Sequence, residues 1–187
     1  MPQAHLHTER LELVPLSEEH LPFLIDLNSD PVVLRYLFTR ALRAEETEEQ
    51  VHRWIRTAKE RGTEGKWIGC AAGEPIALFM LEAPGKPPQA GVGELGYRIP
   101  QRSWRKGFAK EGSRELIRHA FEDLHLDRVM AQTMTVNEAS RATMASVGMS
   151  FVRTFHESFK EPLAEHAEGE VEYEITRETW SRAELSG

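Results

Sequence analysis

The chain has 187 residues, 40% hydrophobic and 28% charged, which is typical of one folded domain and argues against a disordered protein. Its 23 basic and 30 acidic residues give a formal net charge of -7, which argues against general affinity for nucleic acid, because phosphate contacts need a basic surface. No apolar run approaches the roughly 20 residues of a membrane helix, and no signal-peptide core is evident. We therefore expect a cytoplasmic protein without a membrane partner.

The first third of the chain predicts a strand and then two helices. Residues 10–16 (RLELVPL) alternate apolar and polar side chains, as a half-buried strand does. Ser17 is a suitable N-cap for a helix that ends at Asp30, next to a proline. A second helix begins among the acidic residues 45–49 and stops at Gly62. Its apolar positions have helical spacing: Val51, Trp54, Ile55 and Ala58.

The middle of the chain predicts three antiparallel strands. Residues 66–72 and 75–83 flank a Gly-Glu turn and have the pattern of a hairpin. A loop rich in proline and glycine follows. Residues 92–99 (VGELGYRI) form the next strand, with Glu94 and Arg98 on one face and Leu95 on the other.

The segment QRSWRKGFAKEGSREL, residues 101–116, connects this strand to a helix whose apolar stripe continues to Leu124. Residues 127–134 (DRVMAQTM) then form a strand, and a right-handed crossover of this kind makes the two strands parallel. A shorter helix follows Asn137, and two alternating strands close the chain around an acidic loop. We see no internal repeat or linker, so residues 1–187 are expected to form a single domain.

The glycine-centred turn before the third helix has the properties of an anion site. Backbone N–H groups in the first turn of a helix lack partners and point at whatever lies above them. Gly107 and Ala109 keep the backbone accessible, and Arg102, Arg105 and Lys106 add positive charge. The turn matches neither a P-loop nor a dinucleotide fingerprint. A solvated basic turn is the alternative interpretation.

The order of elements, with WRKGFA at residues 104–109 and NEAS at residues 137–140, resembles the GNAT superfamily of acetyl-CoA-dependent N-acetyltransferases. The resemblance covers nearly the whole chain. It implies an α/β (α+β) single-domain GNAT fold. That fold has a mixed, mostly antiparallel sheet of six to seven strands, a splayed parallel pair and about four helices.

The signature of this family is Arg or Gln, two residues, Gly, one residue, and then Gly or Ala. Gly107 and Ala109 match the last two conserved positions, while Arg105 replaces a frequent glycine. Trp104 stands where Arg or Gln is usual, a form similar to the RimJ/RimL-type branch.

The resemblance implies that acetyl-CoA is the acetyl donor and that no metal is needed. The backbone of residues 105–109 would bind the pyrophosphate, and pantetheine would lie along residues 95–99, with the parallel strands splaying beyond Ile99. Asn137 would contact the pantetheine arm, and it is equally suited to be a helix N-cap. The expected cofactor-binding residues are Leu95, Tyr97, Ile99, Arg102, Arg105, Lys106, Gly107, Phe108, Ala109, Lys110 and Asn137.

Transfer to an amine needs a base, a polarised carbonyl and a way for the thiolate to leave. We predict Glu94 as the base, the alternative being an exposed strand residue, and a backbone N–H near Tyr97 as the donor to the carbonyl. Many family members carry a tyrosine acid where this chain has Met144, so Ser140 is the candidate acid. A thiol pKa of about 8.5 also allows the thiolate to leave unaided.

Arg35, Tyr36 and Phe38 are the candidate acceptor-binding residues, as they follow the first helix. The resemblance favours the N-terminal α-amine of a protein or peptide, of ribosomal-protein type, as the acceptor. A small-molecule amine such as an aminoglycoside or polyamine, and a non-catalytic acyl-CoA-binding module, are the alternatives. The histidine pairs of the chain join no acidic or cysteine cluster that favours a metal enzyme. A homodimer is expected only because dimers are common.

Overall fold

A computed structural model describes residues 3–37, 40–61, 65–85, 87–156 and 167–184. It contains the predicted succession of elements, with one short strand added at the start and one helix at the end. The strands are β1 (Leu6–His7), β2 (Glu12–Pro15), β3 (Gly65–Ala71), β4 (Glu74–Glu82), β5 (Val92–Arg98), β6 (Arg128–Met134), β7 (Ser150–Phe155) and β8 (Glu170–Thr176). The helices are α1 (Leu21–Ser29), α2 (Ala44–Arg61), α3 (Phe108–Arg118), α4 (Glu138–Ser146) and α5 (Arg177–Glu184).

All eight strands of this part of the chain form one mixed sheet, in the order β1-β2-β3-β4-β5-β6-β8-β7. Its neighbours are antiparallel except for β5 and β6, which are parallel as the crossover through α3 requires. The α/β class and the parallel pair are therefore confirmed. The sheet has one strand more than expected, because the two residues of β1 are too few to produce an alternating pattern. Helix α5 follows β8 without a break and was also missed.

The two parallel strands separate earlier than the sequence indicated. β5 pairs with β6 only from Val92 to Glu94, whereas the expected separation lay beyond Ile99. Each strand keeps its outer neighbour: β5 stays paired with β4 to Arg98, and β6 stays paired with β8 to Met134. The two halves of the sheet therefore diverge, and the edge of β5 that faces β6 is open for most of its length.

The two faces of the sheet are covered to different extents. On one face, α3, α4 and α5 pack over an apolar core that extends from the first strands to β8, with Phe79, Leu116 and Val171 among its buried side chains. On the other face, α1 and α2 pack over β2 to β4, around Leu27 and Ile68. Beyond β4 that second face carries polar side chains. No helix of the described residues is long and apolar enough to cross a membrane.

Candidate active site

A cleft of about 950 Å³ opens where β5 and β6 separate. Its walls come from the end of β5, the start of α3, the end of β6, α4 and the segment after α1. Most of the predicted cofactor-binding residues line it: Leu95, Tyr97, Ile99, Arg105, Gly107, Phe108, Ala109, Lys110 and Asn137. Arg102 and Lys106 do not belong to its lining. The segments that the sequence singled out thus come together in one cleft.

The turn before α3 takes a shape that depends on two left-handed residues. Gly107 is the N-cap of α3 with a φ of 81°, a conformation that glycine adopts without strain. Arg105, at the position where the family often has glycine, also has a positive φ, of 59°. The indole N–H of Trp104 donates to the carbonyl of Ile99 over 2.6 Å. The first residues of α3 line the cleft, so N–H groups that lack a helical partner are available there to an anion.

Arg10, just before β2, contacts this turn and stabilises it. The sequence did not predict a role for this residue. Its Nη1 donates to the carbonyl of Lys106 over 2.9 Å, and its Nε donates to Glu111 over 2.7 Å. The guanidinium also lies 4.7 Å from the ring centre of Phe108. Burial acts to raise the pKa of Glu111, but hydrogen bonds from Thr8 and Arg10 outweigh it and lower that pKa. No local pattern could connect Arg10 to a turn 96 residues later in the chain.

Arg102 has a different environment from the one expected. Its Nη1 lies 3.0 Å from a carboxylate oxygen of Asp26 on α1. Both side chains are more than half exposed, so the pair contributes little to stability. The charge of Arg102 is therefore directed at α1, outside the cleft.

Tyr97 and Ser140 form a hydroxyl pair on the cleft wall. Their hydroxyl oxygens are 3.0 Å apart, and the Tyr97 hydroxyl also lies 3.1 Å from the carbonyl oxygen of Ser140. Burial raises the pKa of Tyr97, so the phenol holds its proton through neutral pH. Met144, at the position where the family often has a tyrosine, is 1% exposed and packs in the core. A phenol is thus present beside α4, although it comes from β5.

Asn137 is the N-cap of α4, as its capping preference predicted. Its side-chain oxygen accepts a hydrogen bond from the backbone N–H of Ser140 over 3.3 Å, and its amide nitrogen donates to Thr133 over 3.0 Å. Asn137 also lines the cleft. The capping role and a cofactor contact are therefore compatible.

A second, polar cavity of about 310 Å³ adjoins the cleft on the face that α1 and α2 leave open. It is lined by Pro84, Gly85, Gln89, Glu94, Arg128, Met130, Gln132, Arg153 and Glu172. Glu94 and Gln132 belong to the lining of both cavities. Glu94, the predicted base, thus stands where the two cavities meet, and Gln132 is a neighbour that the sequence did not single out.

The predicted acceptor-binding residues are only partly described. Arg35 and Tyr36 line the cleft, with the Arg35 guanidinium 4.9 Å from the ring centre of Tyr36. Phe38 lies outside the described residues. Neither Arg35 nor Tyr36 lines the polar cavity, which the sequence did not predict.

The cleft suits a CoA-type donor. One end of the cleft is lined by the start of α3 together with Arg105 and Lys110, where backbone N–H groups and positive charge suit an anion. β5 pairs with β6 only as far as Glu94, so an amide-rich chain can bind along the following part of this edge as an added strand. The volume lies at the upper end of the range for small-molecule sites.

Residues 10–150 match the family model of the acetyltransferase (GNAT) domain. The chain belongs to the GNAT acetyltransferases. It is 42% identical to the FsC-acetyl coenzyme A-N(2)-transacetylase of Aspergillus fumigatus, over 96% of this chain and 79% of that protein. It is 29% identical to the N-acetyltransferase p20 of Bacillus licheniformis, over 72% of this chain and 76% of that protein. The chain is therefore an acetyl-CoA-dependent N-acetyltransferase of the GNAT family.

Solved GNAT structures have the same fold. A GNAT acetyltransferase from Bacillus anthracis superimposes with a TM-score of 0.78 at 18% identity, covering 94% of this chain and 99% of that one. RimL, a ribosomal L7/L12 alpha-N-protein acetyltransferase in complex with coenzyme A, superimposes with a TM-score of 0.76 at 18% identity, covering 90% and 95%. At this identity the likeness concerns the fold alone.

The histidine pairs considered from the sequence join no metal cluster among the residues that the structure describes. Within the described ranges, no group of three His, Cys, Asp or Glu side chains is placed to hold a metal ion. Cys70, at the end of β3, is a partly buried free thiol, and burial raises its pKa.

Proposed function

We propose that this GNAT enzyme acetylates the amine of a small molecule that enters through the polar cavity, with Glu94 as the base. The observation that carries the proposal is the shared lining: Glu94 and Gln132 border both the cofactor cleft and the polar cavity. An amine in the polar cavity would therefore lie beside two side chains that also border the donor cleft. The cavity, at about 310 Å³, lies at the lower end of the range for small-molecule sites.

In this proposal each side chain at the junction has one task. Acetyl-CoA, when bound, supplies the thioester, and the turn at Arg105 and Gly107 with the open edge of β5 holds it. Glu94 accepts a proton from the acceptor ammonium, directly or through water, so that the nitrogen is neutral. Tyr97 and Ser140 hold a proton for the departing thiolate, and the raised pKa of Tyr97 keeps that proton available.

The relative from Aspergillus fumigatus supports a small acceptor. Its name specifies transfer to one nitrogen, N(2), and it is the more similar of the two curated relatives described above. The RimJ/RimL-type branch, with a protein N-terminus as acceptor, remains the competing prediction. RimL shares the fold at 18% identity, which does not carry its substrate over to this chain.

A thiol-release assay separates these acceptors. The enzyme and acetyl-CoA are mixed with amino acids, polyamines, aminoglycosides and peptides of increasing length, and free CoA is followed over many turnovers. We expect sustained release with single small amines. Release only with peptides would favour the protein acceptor, and no release beyond one equivalent with any amine would contradict the enzyme activity at this site.

A further inference from the structure

The polar cavity contains two arginines that face each other across a buried carboxylate. Glu172 on β8 has a side chain only 5% exposed. The Nε and Nη2 atoms of Arg153 on β7 lie 3.1 and 2.8 Å from its Oε2. The Nη1 atom of Arg128 on β6 lies 3.9 Å from its Oε1. Glu172 thus holds two guanidinium groups at the same place.

In this part of the polar cavity the guanidinium groups are exposed and the carboxylate of Glu172 is buried. The side chain of Arg153 is 59% exposed and that of Arg128 is 31% exposed. Arg128 also pairs with Glu174 over 2.8 Å, so each guanidinium group has a close carboxylate partner. A guanidinium has five N–H donors, more than these carboxylates use, so donors remain for an oxygen ligand.

The cavity is lined by the carboxylate residue Glu94 as well as by the two arginines. Glu94 pairs in register with Met130, and Val92, two residues earlier on β5, pairs with Arg128. Glu94 and Arg128 therefore lie on adjacent strands and on the same face of the sheet, two positions apart. Arg128 extends across Met130, since its Nη2 contacts the sulfur over 3.6 Å. A ligand in this cavity can therefore contact Glu94 and the arginines at the same time.

We infer that the acceptor is an amine that also carries a carboxylate or a similar acidic oxygen group, as an amino acid or its derivative does. Glu94 would receive the amine, and Arg128 and Arg153 would bind the oxygen group. The same two arginines offer only hydrogen-bond donors, so the second ammonium group of a polyamine or aminoglycoside would find no acceptor on them. This inference rests on the proposed function and defines the substrate class of the same site.

Matched acceptors test the inference directly. We compare leucine with isopentylamine, phenylalanine with phenethylamine, and lysine with cadaverine, each pair differing by one carboxyl group. The kcat/KM of thiol release is expected to be about tenfold or more higher for the carboxylated members, the effect of one or two charge-assisted hydrogen bonds. Equal or better turnover of the decarboxylated amines overturns this inference and leaves the proposed function standing. No turnover of any amine refutes the proposed function instead.

Variants locate the effect. Arg153→Gln should reduce the preference for carboxylated acceptors to near unity, and Arg153→Lys should retain part of it. Arg182→Gln, which removes an exposed arginine from α5, serves as the matched control and should retain the preference in full. Because Arg153→Gln leaves Glu172 with one partner fewer, the double variant Arg153→Gln/Glu172→Gln is measured as well. Unchanged acetyl-CoA binding verifies the fold, and a preference that survives both variants contradicts the assignment.

Discussion

The two faces of the sheet between β5 and β8 contrast in composition, although both are built from alternating residues of the same strands. On the face under α3 and α4, β6 and β8 present Val129, Ala131 and Val171, all buried in the main core. On the opposite face the same strands present charged and polar side chains, among them Arg128 and Glu172. A strand buried on one face alone needs apolar residues only at every second position. The alternate positions, which face away from the core, can therefore carry polar functional side chains. The cleft and the polar cavity adjoin each other where β5 separates from β6.

Replacing Glu94 should have the largest effect on activity, and it should affect proton transfer without affecting acetyl-CoA binding. Glu94→Gln removes the proposed base and keeps the size of a side chain that lines both cavities, so kcat should fall by about a hundredfold or more. The loss should be greater at low pH than at high pH, because a strongly alkaline medium supplies a neutral amine without a base. The measurements are kcat against pH and the affinity for acetyl-CoA, which should not change.

Glu74→Gln is the matched control, since Glu74 is an exposed residue at the start of β4. If Glu94→Gln has the same pH profile as this control, Glu94 has no part in proton transfer.

The hydroxyl pair on the core-facing side should have a smaller effect. Tyr97→Phe removes the phenol and leaves the packing, and we expect kcat to fall about tenfold, the equivalent of one hydrogen bond. Ser140→Ala should cost less than about tenfold if the thiolate leaves unaided, as its low basicity allows. Because the two hydroxyls are 3.0 Å apart, the double variant should lose less than the sum of both.

The pH dependence tests the same pair. Burial raises the pKa of Tyr97, so the folded protein retains this proton as the pH rises through the ordinary value near 10. The alkaline limb of kcat in the wild type should therefore begin above about pH 10 and should change in Tyr97→Phe. Strictly additive losses, with no change in that limb, would show that the pair does not act as a unit.

The sequence located the residues of the cleft far better than those of the polar cavity. The turn around Gly107 is local: a glycine, basic residues and the start of an apolar helix lie within a few positions, and their pattern indicates an anion site. The polar cavity combines Arg128, Arg153 and Glu172 from three strands, which are neighbours only because β8 inserts between β6 and β7. Spacing along the chain contains no information on that order.

The same reasoning accounts for two residues of the cleft. Tyr97 was predicted to bind cofactor because of its strand, but its hydroxyl contact with Ser140 depends on how α4 packs. The point at which β5 separates from β6 depends on which outer neighbour each strand keeps. The sequence predicted it beyond Ile99, whereas pairing ends at Glu94. Sequence periodicity determines the face on which a side chain lies, and tertiary packing determines what it meets there.

Gly107 offers a test of the donor side that leaves the acceptor side intact. An added Cβ would force a left-handed alanine, at a cost of about 1–2 kcal/mol, and would lie 3.2 Å from Nη2 of Arg10. We expect Gly107→Ala to raise the KM for acetyl-CoA by about tenfold or less, as expected if that strain opposes binding. The KM for the amine should not change.

Gly73, in the turn between β3 and β4, is the matched control because its φ is 80° and an added Cβ would meet nothing within 4 Å. Gly73→Ala should lower the free energy of unfolding by a similar amount without altering either KM. A raised acetyl-CoA KM in Gly73→Ala would mean that general destabilisation, and not the turn, causes the effect.

The smallest expected difference concerns two arginines, three residues apart, that carry the same charge. Arg105 lines the cleft, whereas Arg102 pairs with Asp26 on α1. Arg105→Gln should raise the KM for acetyl-CoA several-fold and make it less dependent on salt, because it removes a charge beside the phosphates. Arg102→Gln should change that KM by less than about twofold, since an exposed pair contributes about 0–1 kcal/mol. Equal effects would mean that any charge near the turn attracts the donor, and would return Arg102 to the phosphate site that the sequence alone predicts.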